Sequence, residues 1–126
     1  MKSENMTGLI VFAHGSSVES ANEAVRNITA ALAQKGGYSA IETAFLEGGK
    51  PDLAGATASL VARGIRKVVV LPYFLTLGLH LKRDLPNLIA EVRAAHPDLE
   101  IDAAPPLDGH PALVEVLHAR AEEAIA

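Results

Sequence analysis

The sequence contains no cysteine and no tryptophan, and aromatic residues fill only 4% of its 126 positions. The first absence excludes disulfides, thiolate metal sites, iron–sulfur clusters and cysteine nucleophiles, so a metal would have to be met by histidine and carboxylate. The shortage of aromatics argues against stacking platforms for single-stranded nucleic acid. An excess of positive charge is also missing, since 11 Lys and Arg stand against 15 Asp and Glu, for a net charge of −4. No global field therefore draws the chain to nucleic acid or to an anionic membrane, and an anionic ligand must be met by local positive charge. No apolar run approaches the ~20 residues of a membrane span. No targeting pattern stands behind the short polar segment 1–7. These absences lead us to expect a cytoplasmic protein with no nucleic-acid and no membrane partner.

What is present is ordinary globular composition, 49% hydrophobic and 21% charged, at a length that suits one domain. We expect a single domain over 1–126, with 1–7 as a flexible tail. Strand-like and helix-like segments alternate four times. Residues 8–13 (GLIVFA) form an apolar run, and Ala21, Val25, Ile28 and Leu32 then recur at helical spacing up to Gly36-Gly37. Residues 41–46 read as a second strand and residues 51–63 as a helix with proline in its first turn and Gly64 behind it. Residues 67–73 (KVVVLPY) are the most strand-like, and Leu85, Leu88, Ile89 and Val92 form a helical stripe that ends at His96-Pro97. Residues 99–103 make a fourth strand, and a last helix opens at Pro111 with Leu113, Leu117 and Ala121 on one stripe.

Alternation of this kind means an α/β domain with a parallel sheet. Strands one and three are continuously apolar, as expected when both faces are covered. Strands two and four carry Glu42, Glu100 and Asp102, as expected near an edge. The predicted architecture is a doubly wound, flavodoxin-like sheet of four strands in the order 2-1-3-4. Such sheets bind ligands beyond the carboxyl ends of the strands, where the winding reverses. That point lies between strands one and three, and the segments leaving the strands there bring His14, Glu47 and His80 to one mouth.

Each of these residues admits a bland and a functional reading. His14 follows an apolar strand and precedes Gly15, and is either a loop-bonding histidine or a ligand. His80 lies in an apolar loop of about eight residues. It is either a satisfied histidine under a flap or a ligand beside a flat apolar molecule. Glu47, before Gly48-Gly49, is either solvated or part of the mouth. Ser16 with Glu19 fits a capping box for the first helix, whose free N–H groups could also hold an anion. Asp84 reads as the cap of a helix beginning at Leu85-Pro86, and His110 as the cap of the last helix. His96 suits a helix end, and His118 lies within the last helix. Lys82 and Arg83 are either a solvated pair or the partners of an anionic ligand. Two histidines and a carboxylate suit Fe, Co, Ni or Zn and leave coordination positions open. The parts of competing chemistries are missing. Phe12-Ala13 precedes His14 where a histidine phosphatase has arginine, and Leu71-Pro72 replaces a response regulator's acidic residue. No GxSxG, Walker A or GxGxxG pattern occurs.

The runs LIVFAHGSS…AN (residues 9–22), AFLEGGKPDL (44–53) and VVVLPYFLTLGLHLKRDLP (68–86) resemble the small, single-domain CbiX-type sirohydrochlorin chelatases over nearly the whole chain. The resemblance implies a chelatase-like fold. It implies a class II chelatase that inserts a divalent metal into sirohydrochlorin without ATP, cobalt on the way to cobalamin, with iron or nickel insertion as the alternative. It further implies a homodimer, no tightly bound cofactor, and the metal as a substrate. His14 and His80 are implied as metal ligands and proton acceptors and Glu47 as an assisting ligand. For the substrate's carboxylates the candidates are Ser16, Lys50, Lys82 and Arg83. For its apolar face they are Phe74, Leu75, Leu77 and Leu79, with Gly78 in the same loop. A carrier that binds metal or tetrapyrrole without turnover would use the same residues.

Overall fold

A computed structural model describes residues 7–38 and 40–126. The elements run β1 (Thr7–Ala13), α1 (Glu19–Ala33), β2 (Ala40–Phe45), α2 (Leu53–Ala62), β3 (Lys67–Pro72), α3 (Leu79–Ala95), β4 (Glu100–Ala103) and α4 (Ala112–Ile125). The strands form one parallel sheet in the order β2-β1-β3-β4, as the distribution of strand charges predicts. Those charges are tied down at the two edges. Glu42 on β2 takes a 3.1 Å bond from Arg63, and Asp102 on β4 takes one of 3.0 Å from Arg93. The expected tail at 1–7 lies outside the described residues except for Thr7, which is the first residue of β1.

Side chains alternate across a strand, so the register sorts the sheet into two faces. On one face Ile10, Phe12, Val68, Val70 and Ile101 meet Leu53, Ala56 and Leu60 of α2 and Leu81, Leu85, Ile89 and Val92 of α3. Gly8 lets α2 come close, since a Cβ there would lie 3.1 Å from Leu60 and 3.2 Å from Ile65. On the other face Val11, Ala13 and Phe45 meet α1 through Val25 and the half-buried Leu32.

Four sequence expectations shift. The buried stripe of α1 is Asn22, Val25 and Thr29, so the helix is rotated from the predicted one; Ala21 faces solvent and Ile28 is 46% exposed. Two polar residues sit inward because they have partners: Thr29 accepts from Thr43 of β2 at 2.8 Å and donates to the Val25 carbonyl at 3.1 Å.

Helix α3 begins six residues earlier than Leu85, with Gly78 as its N-cap and Pro86 inside it. Pro86 removes only the N–H that would reach the Lys82 carbonyl. Both residues are solvent-exposed, so water can serve that oxygen. Asp84 is consequently a mid-helix residue, 3.4 Å from Arg83, and caps nothing.

Helix α2 starts at Leu53 with Asp52 as its cap, the carboxylate accepting from the Gly55 N–H at 2.8 Å. Pro51 therefore precedes the helix instead of lying in its first turn.

Strand β3 is not covered on both faces. Val68 and Val70 are buried, but Val69 and Leu71 on the opposite side are only half-buried. Helix α1 sits over β1 and β2, and α4 does not return to the sheet: none of its residues is buried.

Leu60 is fully buried between α2 and the sheet. Leu60→Ala should cost about 2–5 kcal/mol, read as a lower urea midpoint at unchanged slope.

Candidate functional site

The loops that follow β1 and β2 are held backbone to backbone. The β1–β2 register ends at Ala13 opposite Phe45, but the pairing continues beyond it. The Leu46 N–H donates to the Ala13 carbonyl at 2.9 Å and the Glu47 N–H to the His14 carbonyl at 3.0 Å. This zipper sets His14 beside Glu47, with Nε2 and Oε2 3.3 Å apart. Glycine is required on both sides. Gly15 has φ +90°, and a Cβ there would lie 1.6 Å from the Glu47 carbonyl oxygen; Gly48 has φ +69°, and its Cβ would lie 2.9 Å from the Ser16 backbone.

Asn22 locks the pair of loops, a positioning role that sequence reasoning missed. Its side chain, 2% exposed, accepts from the Ser16 N–H at 2.9 Å and donates to the Ser16 and Gly48 carbonyls, each at 2.9 Å. The signal was a polar residue in line with Val25 and Thr29 on the inward face of a helix, where burial demands partners. The expected capping box does not form. Val18 is the N-cap of α1, without a side-chain bond, and the Ser16 hydroxyl instead accepts from the Val18 N–H at 2.9 Å. Glu19 turns to Arg26 at 2.6 Å. That hydrogen bond, with a further one from Asn22, holds the Glu19 carboxyl below its ordinary range and raises the Arg26 guanidinium.

His14 has an acceptor at each ring nitrogen, the Gly15 carbonyl 3.1 Å from Nδ1 and Glu47 Oε2 3.3 Å from Nε2. A carbonyl accepts only, so a proton on Nδ1 aims the Nε2 lone pair at a carboxylate. A proton or a cation between Nε2 and Oε2 relieves that repulsion. Two ligands bound at about 2.1 Å to one ion stand about 3.0–3.4 Å apart, and the observed spacing falls in that range. Both side chains are exposed, so the contact itself adds little stability.

His80 stands elsewhere in the mouth, in the first turn of α3 instead of a loop. Its Nδ1 is 3.3 Å from an Arg83 guanidinium nitrogen; arginine only donates, so Nδ1 is the acceptor and the ring proton sits on Nε2. Among the described residues no three His, Asp or Glu side chains are gathered closely enough to hold an ion. The structure thus joins His14 to Glu47 and leaves His80 outside the pair.

The apolar residues divide as well. Leu75 and Leu79 point outward, Leu79 being 87% exposed, whereas Phe74 and Leu77 lean on the core and Phe74 packs edge-on to Phe12 at 6.2 Å. Gly78 is the α3 cap, and Lys50, Lys82 and Arg83 are exposed. His110 takes the capping role expected of it, its Nδ1 accepting from the Ala112 N–H at 3.0 Å. A groove of about 370 Å³ lies between α2 and α3, lined by Leu46, Leu88 and His96 among others. His14, Glu47 and His80 take no part in it; their site is an open mouth.

Asn22→Ala should destabilise the fold by about 1–3 kcal/mol by leaving Ser16 and Gly48 backbone groups unpaired. Gly15→Ala should cost more, because the loops must part. Urea unfolding of both variants checks the order.

The CbiX family model matches residues 8–124. A sirohydrochlorin cobaltochelatase of Sulfolobus acidocaldarius is 32% identical over 95% of this chain and 94% of its own length. One from Priestia megaterium is 34% identical over 94% of this chain, which spans only 39% of that larger relative. The crystal structure of a CbiX protein assigned to cobalamin (vitamin B12) biosynthesis, from Marinobacter aquaeolei, superposes with a TM-score of 0.83 at 25% identity, covering 94% of this chain and 97% of that one. The cobalt complex of the sirohydrochlorin chelatase SirB from Bacillus subtilis gives 0.87 at 22% identity over 93% of this chain and 50% of its own. With the predicted strand order observed and the family pattern running almost from end to end, the chain belongs to the CbiX family.

Proposed function

We propose that the protein inserts a divalent metal ion, cobalt first, into sirohydrochlorin without ATP, at the mouth formed by His14, Glu47 and His80. The observation that carries this reading is the His14–Glu47 pair, whose 3.3 Å spacing and Gly15-anchored imidazole suit the capture of one cation. Relatives of this chain's own length named sirohydrochlorin cobaltochelatase favour the same substrate and metal. Iron is the second metal, because a chloroplastic relative from Arabidopsis thaliana, 29% identical, is named a sirohydrochlorin ferrochelatase. No helix among the described residues is long and apolar enough to cross a membrane, and a cytoplasmic setting belongs to this reading.

Metal entry must strip water from the ion and release two pyrrole protons. His14 Nε2 and Glu47 Oε2 hold the arriving ion at a site open to solvent. An open pair binds loosely and can pass the ion on, which a closed four-ligand site would not do. His80 receives protons. In the free protein its Nδ1 is occupied by Arg83, so a substrate carboxylate that draws the guanidinium away also frees the imidazole. Lys82 and Lys50 meet further carboxylates, Ser16 adds its remaining hydrogen-bonding capacity, and Leu75 and Leu79 offer apolar surface to the ring. Acceleration comes from stabilising the state in which the ion is partly dehydrated and the ring distorted, since equal binding of substrate and transition state gives none. Two copies of the chain pair in the working protein.

The test is anaerobic absorbance of sirohydrochlorin with Co²⁺, Fe²⁺ or Ni²⁺ and substoichiometric protein. Many turnovers are expected, falling by roughly 100-fold or more in His14→Ala and in His80→Ala. Both side chains are exposed, so the urea midpoints should stay unchanged. Full activity in both variants would remove the assignment, and a spectral change that stops at one equivalent would mark a carrier.

A further inference from the structure

Arg26 of α1 stands behind the mouth and has no part in the chemistry above. Its Nη1 donates to Glu19 Oε2 at 2.6 Å and to Glu23 Oε1 at 3.0 Å. Its guanidinium carbon lies 5.4 Å from the centroid of the Phe45 ring. An ion pair on a helix surface contributes little by itself. Two of these three contacts, however, lead to the loops that carry His14 and Glu47.

The first route runs through Glu19. Its other oxygen, Oε1, lies 3.4 Å from Asn22 Nδ2, and the same Nδ2 donates to the Ser16 and Gly48 carbonyls at 2.9 Å. Asn22 Oδ1 accepts from the Ser16 N–H. The amide therefore has one workable sense. Turned over, its oxygen would face two carbonyls and a carboxylate, all acceptors, and its nitrogen would face an N–H. Glu19 adds a full negative charge on the donor side, which strengthens that preference. Arg26 keeps the charge there: its hydrogen bond is the largest cause holding the Glu19 carboxyl below its ordinary range, and the Asn22 bond is the next.

The second route runs through Phe45, which is fully buried. Gly49 rests against its ring, since a Cβ there would lie 3.0 Å from the ring and 3.1 Å from Asn22 Nδ2. The Phe45 N–H donates to the Pro51 carbonyl at 2.9 Å and closes the loop that carries Glu47. A cation over the face of the ring helps to hold it in place.

We infer that Arg26 is a positioning residue of the metal-capturing pair: by fixing Glu19 against Asn22 and covering Phe45, it holds the 46–51 loop in the register that sets Glu47 beside His14. The inference rests on the reading of His14 and Glu47 as the capture site. It gives Glu23 no part. Glu23 binds the same guanidinium but is not among the hydrogen-bond partners of Asn22.

The test compares full-length Glu19→Ala, Glu23→Ala and Arg26→Gln with the wild type. Hydrogen exchange of the Ser16 and Glu47 N–H groups reads the loops, and a Co²⁺ titration followed at the His14 ring resonances reads the pair. In Glu19→Ala and Arg26→Gln both amides should exchange about threefold faster or more. Co²⁺ binding at His14 should weaken roughly fivefold, with the urea midpoint almost unmoved. Glu23→Ala, which removes the same charge from the same helix, should match the wild type. In sirohydrochlorin turnover the KM for the metal should rise and the KM for sirohydrochlorin stay unchanged. Equal effects of Glu19→Ala and Glu23→Ala would reduce the cluster to general helix electrostatics and overturn the inference. So would wild-type exchange and Co²⁺ binding in both Glu19→Ala and Arg26→Gln. A raised KM for sirohydrochlorin with unchanged exchange would make Arg26 a substrate contact and also overturn it. A wild-type protein whose His14 does not respond to Co²⁺ would remove the capture reading itself, and the inference with it.

Discussion

The site depends on one contact, the backbone-to-backbone seam between the loops that follow β1 and β2. Two hydrogen bonds extend the strand ladder past its last register pair. Two glycines in left-handed conformations let the chains approach to a distance that any Cβ would forbid. Asn22 then ties both loops to α1 with three bonds at 2.9 Å. Backbone geometry of this kind is stiff, and the His14 and Glu47 side chains inherit their adjacency from it, not from attraction to each other. This is why an exposed pair can keep a defined spacing: the precision comes from buried groups behind it.

Stiffness behind and openness in front suit a site that handles an ion in transit. A third donor close to His14 and Glu47 would make a trap. The structure instead leaves His80 outside that pair, in the first turn of α3 and engaged by Arg83. In the proposed reaction, substrate carboxylates would compete for that arginine and so change what His80 can do. The same division explains the apolar segment after β3. Phe74 and Leu77 anchor it through the core, and Leu75 and Leu79 are left exposed.

Much of this was legible in the sequence, for reasons that can be named. Glu42, Glu100 and Asp102 mark edge strands because a charge cannot sit between two covered faces, and that placed β1 and β3 at the centre and the mouth at their ends. His14 and Glu47 could be brought together from topology alone. The start of α3 was obscured by Pro86, which usually opens a helix; Leu81, one turn ahead of Leu85 on the same buried stripe, was the better guide. The rotation of α1 was hidden because hydrophobic periodicity does not count a buried asparagine or threonine, and Asn22 and Thr29 were the inward residues. The half-open face of β3 could not be read from β3 at all. Its run of apolar residues predicts cover on both sides, whereas Val69 and Leu71 are only half-buried because α1 sits over β1 and β2 and α4 does not return to the sheet.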